Sequence, residues 1–235
     1  MKTFEQILSE NKQKLADAKK NIATSRVFLV ERKTVNGKVV YLPMLTFEQF
    51  KELIKVNAEV LIAEKKKNRK YIIAGKHEKI IYQLYLYSVG SAEFSGDIYK
   101  GIYLSGNNGT GKTILLKSFI KIITDFSAKI VTSVHSLKLA GYLKEHGEKY
   151  LDKRPLYIED LGKETAIIND FGTKRMPIVD VFSVRYNNGA WTFTCCNYKL
   201  ETIEQKYSKT ISNRFLDMFN FFELTGECMR GDNIK

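Results

Sequence analysis

The chain has 235 residues, 44% of them hydrophobic, enough for one large domain or a medium domain with an appendage, and too apolar for global disorder. Its 38 Lys+Arg against 26 Asp+Glu give a formal net charge of +12. That excess favours a polyanionic partner such as nucleic acid, although solubility alone also accounts for it. No apolar run approaches a membrane span, residues 1–22 are charged throughout and lack a signal-peptide core, and Cys195, Cys196 and Cys228 have no metal-ligand spacing; the pattern excludes a membrane-spanning chain and reads as buried, reduced thiols in a cytoplasmic protein.

Residues 3–22 carry Phe4, Ile7, Leu8, Leu15, Ala18 and Ile22 at helical spacing, which predicts an amphipathic helix that buries its stripe on its own domain or on another protein. Residues 26–42 read as a hairpin: apolar runs at 27–30 and 39–42 flank Asn36-Gly37, a strong short-range hairpin signal. Thr46-Phe-Glu-Gln49 is a capping-box pattern that starts a helix continued by Phe50, Leu53, Ile54, Leu61 and Ile62. The basic run at 65–70 that follows is either a solvated helix end or a phosphate contact. A second helix is expected near 77–88, and Gly90 to Gly96 closes this region.

From residue 98 strand and helix patterns alternate, the signature of a parallel α/β sheet. Strands are expected at 101–105, 129–134, 156–160, 191–196 and 221–225, and helices at 112–125, 136–150, 174–186 and 201–218. In such sheets the site forms where strands end, so the chemistry should follow each strand.

The first strand end is Gly106-Asn107-Asn108-Gly109-Thr110-Gly111-Lys112-Thr113, a match to the phosphate-binding P-loop pattern with apolar Ile102, Tyr103 and Leu104 before it and an apolar helix face after it. Its glycines let the backbone turn sharply and point N–H groups inward, and the helix that follows presents its positive end. Lys112 adds a charge for nucleotide phosphates and Thr113 a hydroxyl for Mg²⁺. The third strand ends in Glu159-Asp160, a Walker B pattern in which one carboxylate supports the metal and the other orients attacking water. The fourth ends in Asn197, an amide that suits the lytic water or γ-phosphate but that also caps helices well. Arg214 falls within the last expected helix, where it either pairs with a carboxylate or reaches a neighbouring subunit's phosphate. Arg230 is a further cation near the C-terminus.

Taken in order, 106–113, Ile158-Glu159-Asp160-Leu161-Gly162, Thr194 to Asn197, and Tyr207 through Arg214 and Gly226 to Arg230 resemble the AAA+ ATPases of bacterial and phage replicative helicase loaders, the DnaC type, with the IstB-type transposon helper ATPases close by. The resemblance covers about residues 95–232. It implies an α/β P-loop core, 96–235, with a five-stranded parallel sheet and no helical lid, preceded by a small α+β region, 1–95. It implies ATP and Mg²⁺ as cofactors, Lys112 and Thr113 on phosphates and metal, Glu159 at the metal position, Asp160 activating water, Asn197 as the sensor-1 residue, Arg214 as a finger acting in trans, and Arg230 near the nucleotide end of the core. The family usually has Asp-Asp or Asp-Glu where this chain has Glu159-Asp160, so hydrolysis is expected to be slow, or the pair to act in a shifted register with Asp160 on the metal.

The resemblance further implies a replicative DNA helicase bound through the N-terminal region, self-assembly through AAA+ interfaces, and single-stranded DNA as partner. The helix expected at 136–150, with Lys138, Lys144 and Lys149, either contacts DNA or only covers the sheet. Two other functions fit the same residues: an IstB-like transposition helper on duplex DNA, and an ATP-gated adaptor with little hydrolysis. A small-molecule P-loop kinase fits poorly, because the intervals between strands are short.

Overall fold

The computed structural model describes residues 13, 26–36, 38–66, 70–73, 75–127, 129–147, 154–164, 168–170 and 173–226. The helix expected at 3–22, Gly37, Arg69, Lys149, Cys228 and Arg230 lie outside the described residues, except for Gln13.

Strands β1 (Val30–Val35) and β2 (Lys38–Pro43) form an antiparallel hairpin, in register from Val30↔Pro43 to Val35↔Lys38. The hairpin was expected; its first strand begins three residues later than the apolar run suggests. Phe28 and Leu29 enter the core, their N–H groups donating to the Ser88 carbonyl. Phe28 lies 6.1 Å from the Phe119 ring and 6.5 Å from Trp191, so aromatic burial outweighs ladder pairing here. Helix α1 (Phe47–Glu64) opens with the predicted capping box, in which Thr46 and Gln49 exchange backbone-to-side-chain bonds. Helix α2 (Lys76–Val89) ends at Gly90, whose left-handed φ of +64° stops it.

The remaining elements are β3 (Gly101–Ser105), α3 (Lys112–Phe126), β4 (Thr132–His135), a 3-10 turn at Ser136–Lys138, α4 (Leu139–His146), β5 (Leu156–Leu161), a short hairpin of β6 (Ile168–Asp170) and β7 (Thr173–Arg175), α5 (Pro177–Asn187), β8 (Thr192–Cys196), α6 (Leu200–Lys206), α7 (Lys209–Met218) and β9 (Phe219–Glu223). Five strands pair in parallel in the order β4-β5-β8-β3-β9, as expected. Strand β8 is therefore inserted between the strand that leads into the P-loop and the strand that ends in the acidic pair.

Strand β4 starts three residues later and β9 two residues earlier than expected, and three of the expected helices differ. The helix expected at 174–186 starts at Pro177, because β7 occupies Thr173–Arg175 and proline is pre-set for a first helical turn. The helix expected at 201–218 is two helices. Ser208 breaks it with φ of +155° and caps the second piece by accepting from Ile211 N. Of the helix expected at 136–150, the first turn is 3-10 and α4 ends at His146.

Strand alternation divides the core into two layers. Ile102, Leu104, Tyr157, Phe193 and Cys195 meet α3, and α1 and α2 lie in the same cluster: Phe50, Ile54, Ile81 and Leu84 are fully buried with Leu115, Phe119 and Ile123. Each such side chain contributes roughly 1.5–3 kcal/mol on burial. The opposite face brings Tyr103, Leu156, Ile158 and Cys196 against Ile178, Phe182, Ile211 and Phe215.

Candidate nucleotide site

The loop between β3 and α3 has positive φ at Gly106, Gly109 and Gly111, at 146°, 84° and 86°. A Cβ on Gly106 would stand 2.0 Å from the Leu224 carbonyl oxygen, so only glycine fits where the loop leaves the sheet. Within the loop, Thr110 Oγ1 donates to Asn107 O at 3.0 Å and the buried Lys112 donates its ammonium to the same carbonyl at 2.5 Å. The loop is also held from outside. His77, buried on the first turn of α2, places Nε2 2.9 Å from the Thr110 carbonyl. A carbonyl only accepts, so Nε2 carries the proton.

The strand ends converge on this loop. Asn197, just past β8, donates from Nδ2 to Asn108 Oδ1 at 2.7 Å. Thr113 Oγ1 lies 3.6 Å from Cys195 Sγ, which also meets the Tyr157 hydroxyl at 3.0 Å; burial pushes the Cys195 thiol up and keeps it a neutral thiol.

The acidic pair sits on a bulge. Ile158 and Leu161 are three residues apart yet share one core layer, which strict alternation forbids. The β5–β8 register shifts between them, and Asp160 takes φ of +54°. A bulge re-aims side chains at a strand end, and here it sends the two carboxylates to different partners. Glu159 Oε2 is 2.7 Å from the ammonium of Lys117 on α3. Asp160 Oδ2 is 2.6 Å from Lys163 Nζ and 3.7 Å from His135 Nε2, and its carbonyl accepts from Ser136 Oγ at 2.7 Å. Burial pushes the Asp160 carboxyl up, but Lys163, then His135 and Lys112, outweigh it and hold the group below its ordinary 3.8. Asp160 is therefore an ionised acceptor at neutral pH.

Beyond the acidic pair, the turn is locked to α6. The buried Glu164 carboxylate accepts from Gly162 N at 2.7 Å and from the Tyr207 hydroxyl, while Lys206 donates to Gly162 O. Arg214, on α7, is elsewhere. Its contacts among the described residues are Ser183 Oγ at 2.5 Å and the Tyr186 ring at 5.3 Å.

The structure thus brings together residues 106–113, Asp160 and Asn197, sets Glu159 on Lys117, and sets Arg214 on Ser183 and Tyr186 of α5. His77, Lys117, Cys195 and Glu164 were not anticipated. Only Lys117 had a usable signal, since it lies one helical turn beyond Thr113.

Among the described residues no cluster of three or more His, Cys, Asp or Glu could hold a metal by protein ligands alone. The donors present are hard oxygens, the Thr113 hydroxyl with the Glu159 and Asp160 carboxylates. That set fits Mg²⁺, which keeps several waters and takes one or two protein oxygens beside substrate phosphates.

No protein-family model and no curated protein matches the chain. Solved structures do. The crystal structure of the DnaC helicase loader superposes with a TM-score of 0.54 at 20% identity, covering 66% of this chain and 93% of that one. DnaI superposes with a TM-score of 0.53 at 22% identity, covering 77% and 93%. The fold is that of the DnaC-type helicase loaders. In this loader fold the chain has an α/β core with a five-stranded parallel sheet. No described helix is long and apolar enough to cross a membrane.

Proposed function

We propose that the chain is an ATP-binding AAA+ ATPase that acts as a replicative helicase loader on single-stranded DNA. The observation that carries this reading is the loop itself, with positive φ at Gly106, Gly109 and Gly111 feeding the N-terminus of α3 while Asn197 reaches Asn108. Backbone N–H groups at a helix start are suited to the β- and γ-phosphates. Lys112, which rests on Asn107 O, is placed to exchange that carbonyl for a phosphate oxygen. Thr113 and Glu159 would hold Mg²⁺, which supplies positive charge to the phosphates. Asp160, kept ionised, accepts a proton from the attacking water, and Asn197 orients that water. Arg214, which contacts Ser183 and Tyr186 on α5, would serve as a finger for a neighbouring subunit's phosphate. Such self-assembly gives each site its missing cation, with Arg230 as a second cation of the core.

The net charge of +12 suits a DNA strand threaded along the assembled cores. A helicase partner is assigned to residues 1–95, and the half-exposed apolar side chains Val39, Tyr41, Leu42 and Met44 on and beside the β1–β2 hairpin support a protein contact there. A second reading, an ATP-gated adaptor with little hydrolysis, is favoured by the ion pair that already occupies Glu159.

The test is nucleotide and strand binding together. Wild-type protein with Mg²⁺ should bind ATP, and Lys112→Ala should not. With ATP it should bind single strands over duplex, in a salt-dependent way; a preference for duplex transfers the function to a transposition helper. ATP binding without turnover selects the adaptor. Normal ATP binding by Lys112→Ala would refute the assignment.

A further inference from the structure

Glu159 differs by one methylene from the aspartate that the loader pattern has at this position, and the structure shows where the extra length goes. The side chain reaches from the end of β5 to Lys117 on α3, with Oε2 2.7 Å from Nζ. Both groups are mostly covered, at 17% and 29% side-chain exposure. That is a direct charged hydrogen bond in a partly desolvated place, unlike a solvent-screened surface pair. Lys117 is four residues past Thr113 on the same helix, so its ammonium and the Thr113 hydroxyl share one helix face. Tyr157, two residues before Glu159, packs on that same side of the sheet.

We infer that Lys117 is a positioning residue of the ATP site, a tethered cation that competes with Mg²⁺ for Glu159 and thereby sets the metal requirement of nucleotide binding. The inference rests on the ATP-site reading above. A carboxylate that already carries an ammonium has less negative potential to offer a second cation, and the two cations repel each other across it. For Mg²⁺ to use Glu159, Lys117 must turn away or share it. The coupling is reciprocal: metal loosens Lys117, and Lys117 loosens metal. An aspartate at the strand end, being shorter, would leave Lys117 without this partner and the carboxylate uncompensated. The long acid and the basic residue on α3 therefore act as one device, which lowers metal occupancy and slows turnover.

The experiment titrates Mg²⁺ against binding of a fluorescent ATP analogue to the full chain, with phosphate release measured in parallel. Lys117→Met should lower the half-saturating Mg²⁺ concentration by about 5-fold or more, the lower end of ordinary site-to-site coupling, and raise turnover. Lys117→Arg should restore the wild-type midpoint. In a Glu159→Asp background, Lys117→Met should change the midpoint by much less. An unchanged midpoint in Lys117→Met that melts like the wild type overturns the proposal. Should Lys117→Met fail to fold, Glu159→Asp alone carries the test: its midpoint should fall, and an unchanged value overturns the proposal. Absence of analogue binding by the wild type at every Mg²⁺ concentration counts against the ATP site itself, a distinct result.

Discussion

His77 and Thr110 are joined by a 2.9 Å hydrogen bond from a buried imidazole on α2 to a backbone carbonyl of the P-loop. The bond fixes one carbonyl of the glycine loop from outside it, and the proposed phosphate contacts depend on that loop's backbone geometry. Replacing His77 by Phe fills the volume but removes the donor. ATP affinity should fall about 2- to 10-fold, the worth of one ordinary hydrogen bond, while His77→Gln should recover part of it. Titration with a fluorescent ATP analogue, alongside thermal melts, separates loss of loop geometry from loss of fold.

Asn197 donates to Asn108 across 2.7 Å, so it touches the loop before any substrate arrives. Asn197→Ala should leave ATP affinity within about 3-fold yet cut turnover at least 10-fold, since a positioned donor acts mainly on the transition state. Equal losses in binding and turnover would show that Asn197 only shapes the loop.

Arg185 is a fully buried cation in α5, with Nε donating to Thr192 Oγ1 at 2.9 Å and Nη2 to the Trp191 carbonyl at 2.7 Å. It ties α5 to the start of β8, the strand that delivers Asn197. Arg185→Ala removes both of these bonds, although the Trp191 carbonyl keeps Leu156 N and Thr192 Oγ1 keeps the Ala190 carbonyl, and it opens a large cavity, so stability should fall by about 3–5 kcal/mol. For a chain of this size that lowers the melting temperature by roughly 6–20 °C. A shift under about 3 °C would mean that water replaces the guanidinium at little cost.

As the proposed acceptor of the water's proton, Asp160 is expected to set the acid side of the pH profile. Its carboxyl lies below the ordinary 3.8 because Lys163, His135 and Lys112 outweigh its burial. A folded-state value below the unfolded one contributes stability that is present above the unfolded value and lost as pH falls through the folded value. Turnover should therefore show no loss from Asp160 down to about pH 5. Lys163→Met removes the nearest cation, so the acid limb should move upward in pH. A pH–rate profile identical to the wild type would show that the limb belongs to another group.

Much of the core was legible because local chemistry and final structure agree there. The apolar run Ile102-Tyr103-Leu104 of β3, the glycine spacing of the loop and the amphipathic start of α3 each need no tertiary help. The helix break at Ser208 was hidden because Ile203, Tyr207, Ile211 and Phe215 keep four-residue spacing through it, and all four are buried in one cluster. The periodicity is real; it is carried by two helices that share a floor. The β6–β7 hairpin lacks an alternating apolar pattern and left no signal. In the site, the loop, acidic pair and strand-end amide could be read from order along the chain. Of their holders, Lys117 was signalled only by its four-residue spacing from Thr113; His77 and Glu164 were not, because the Thr110 carbonyl and the Tyr207 hydroxyl come to them only in the folded chain.

Phe119, on the inner side of α3, is packed against Phe28 and Phe50 from the upstream segment. The rod that begins at Lys112 is thus wedged between the sheet and the part of the chain assigned to a protein partner. A pull on the β1–β2 hairpin would not be dissipated in a slack tether. It would reach the rod through these ring contacts, and the phosphate grip proposed for Lys112 and Thr113 would change with it.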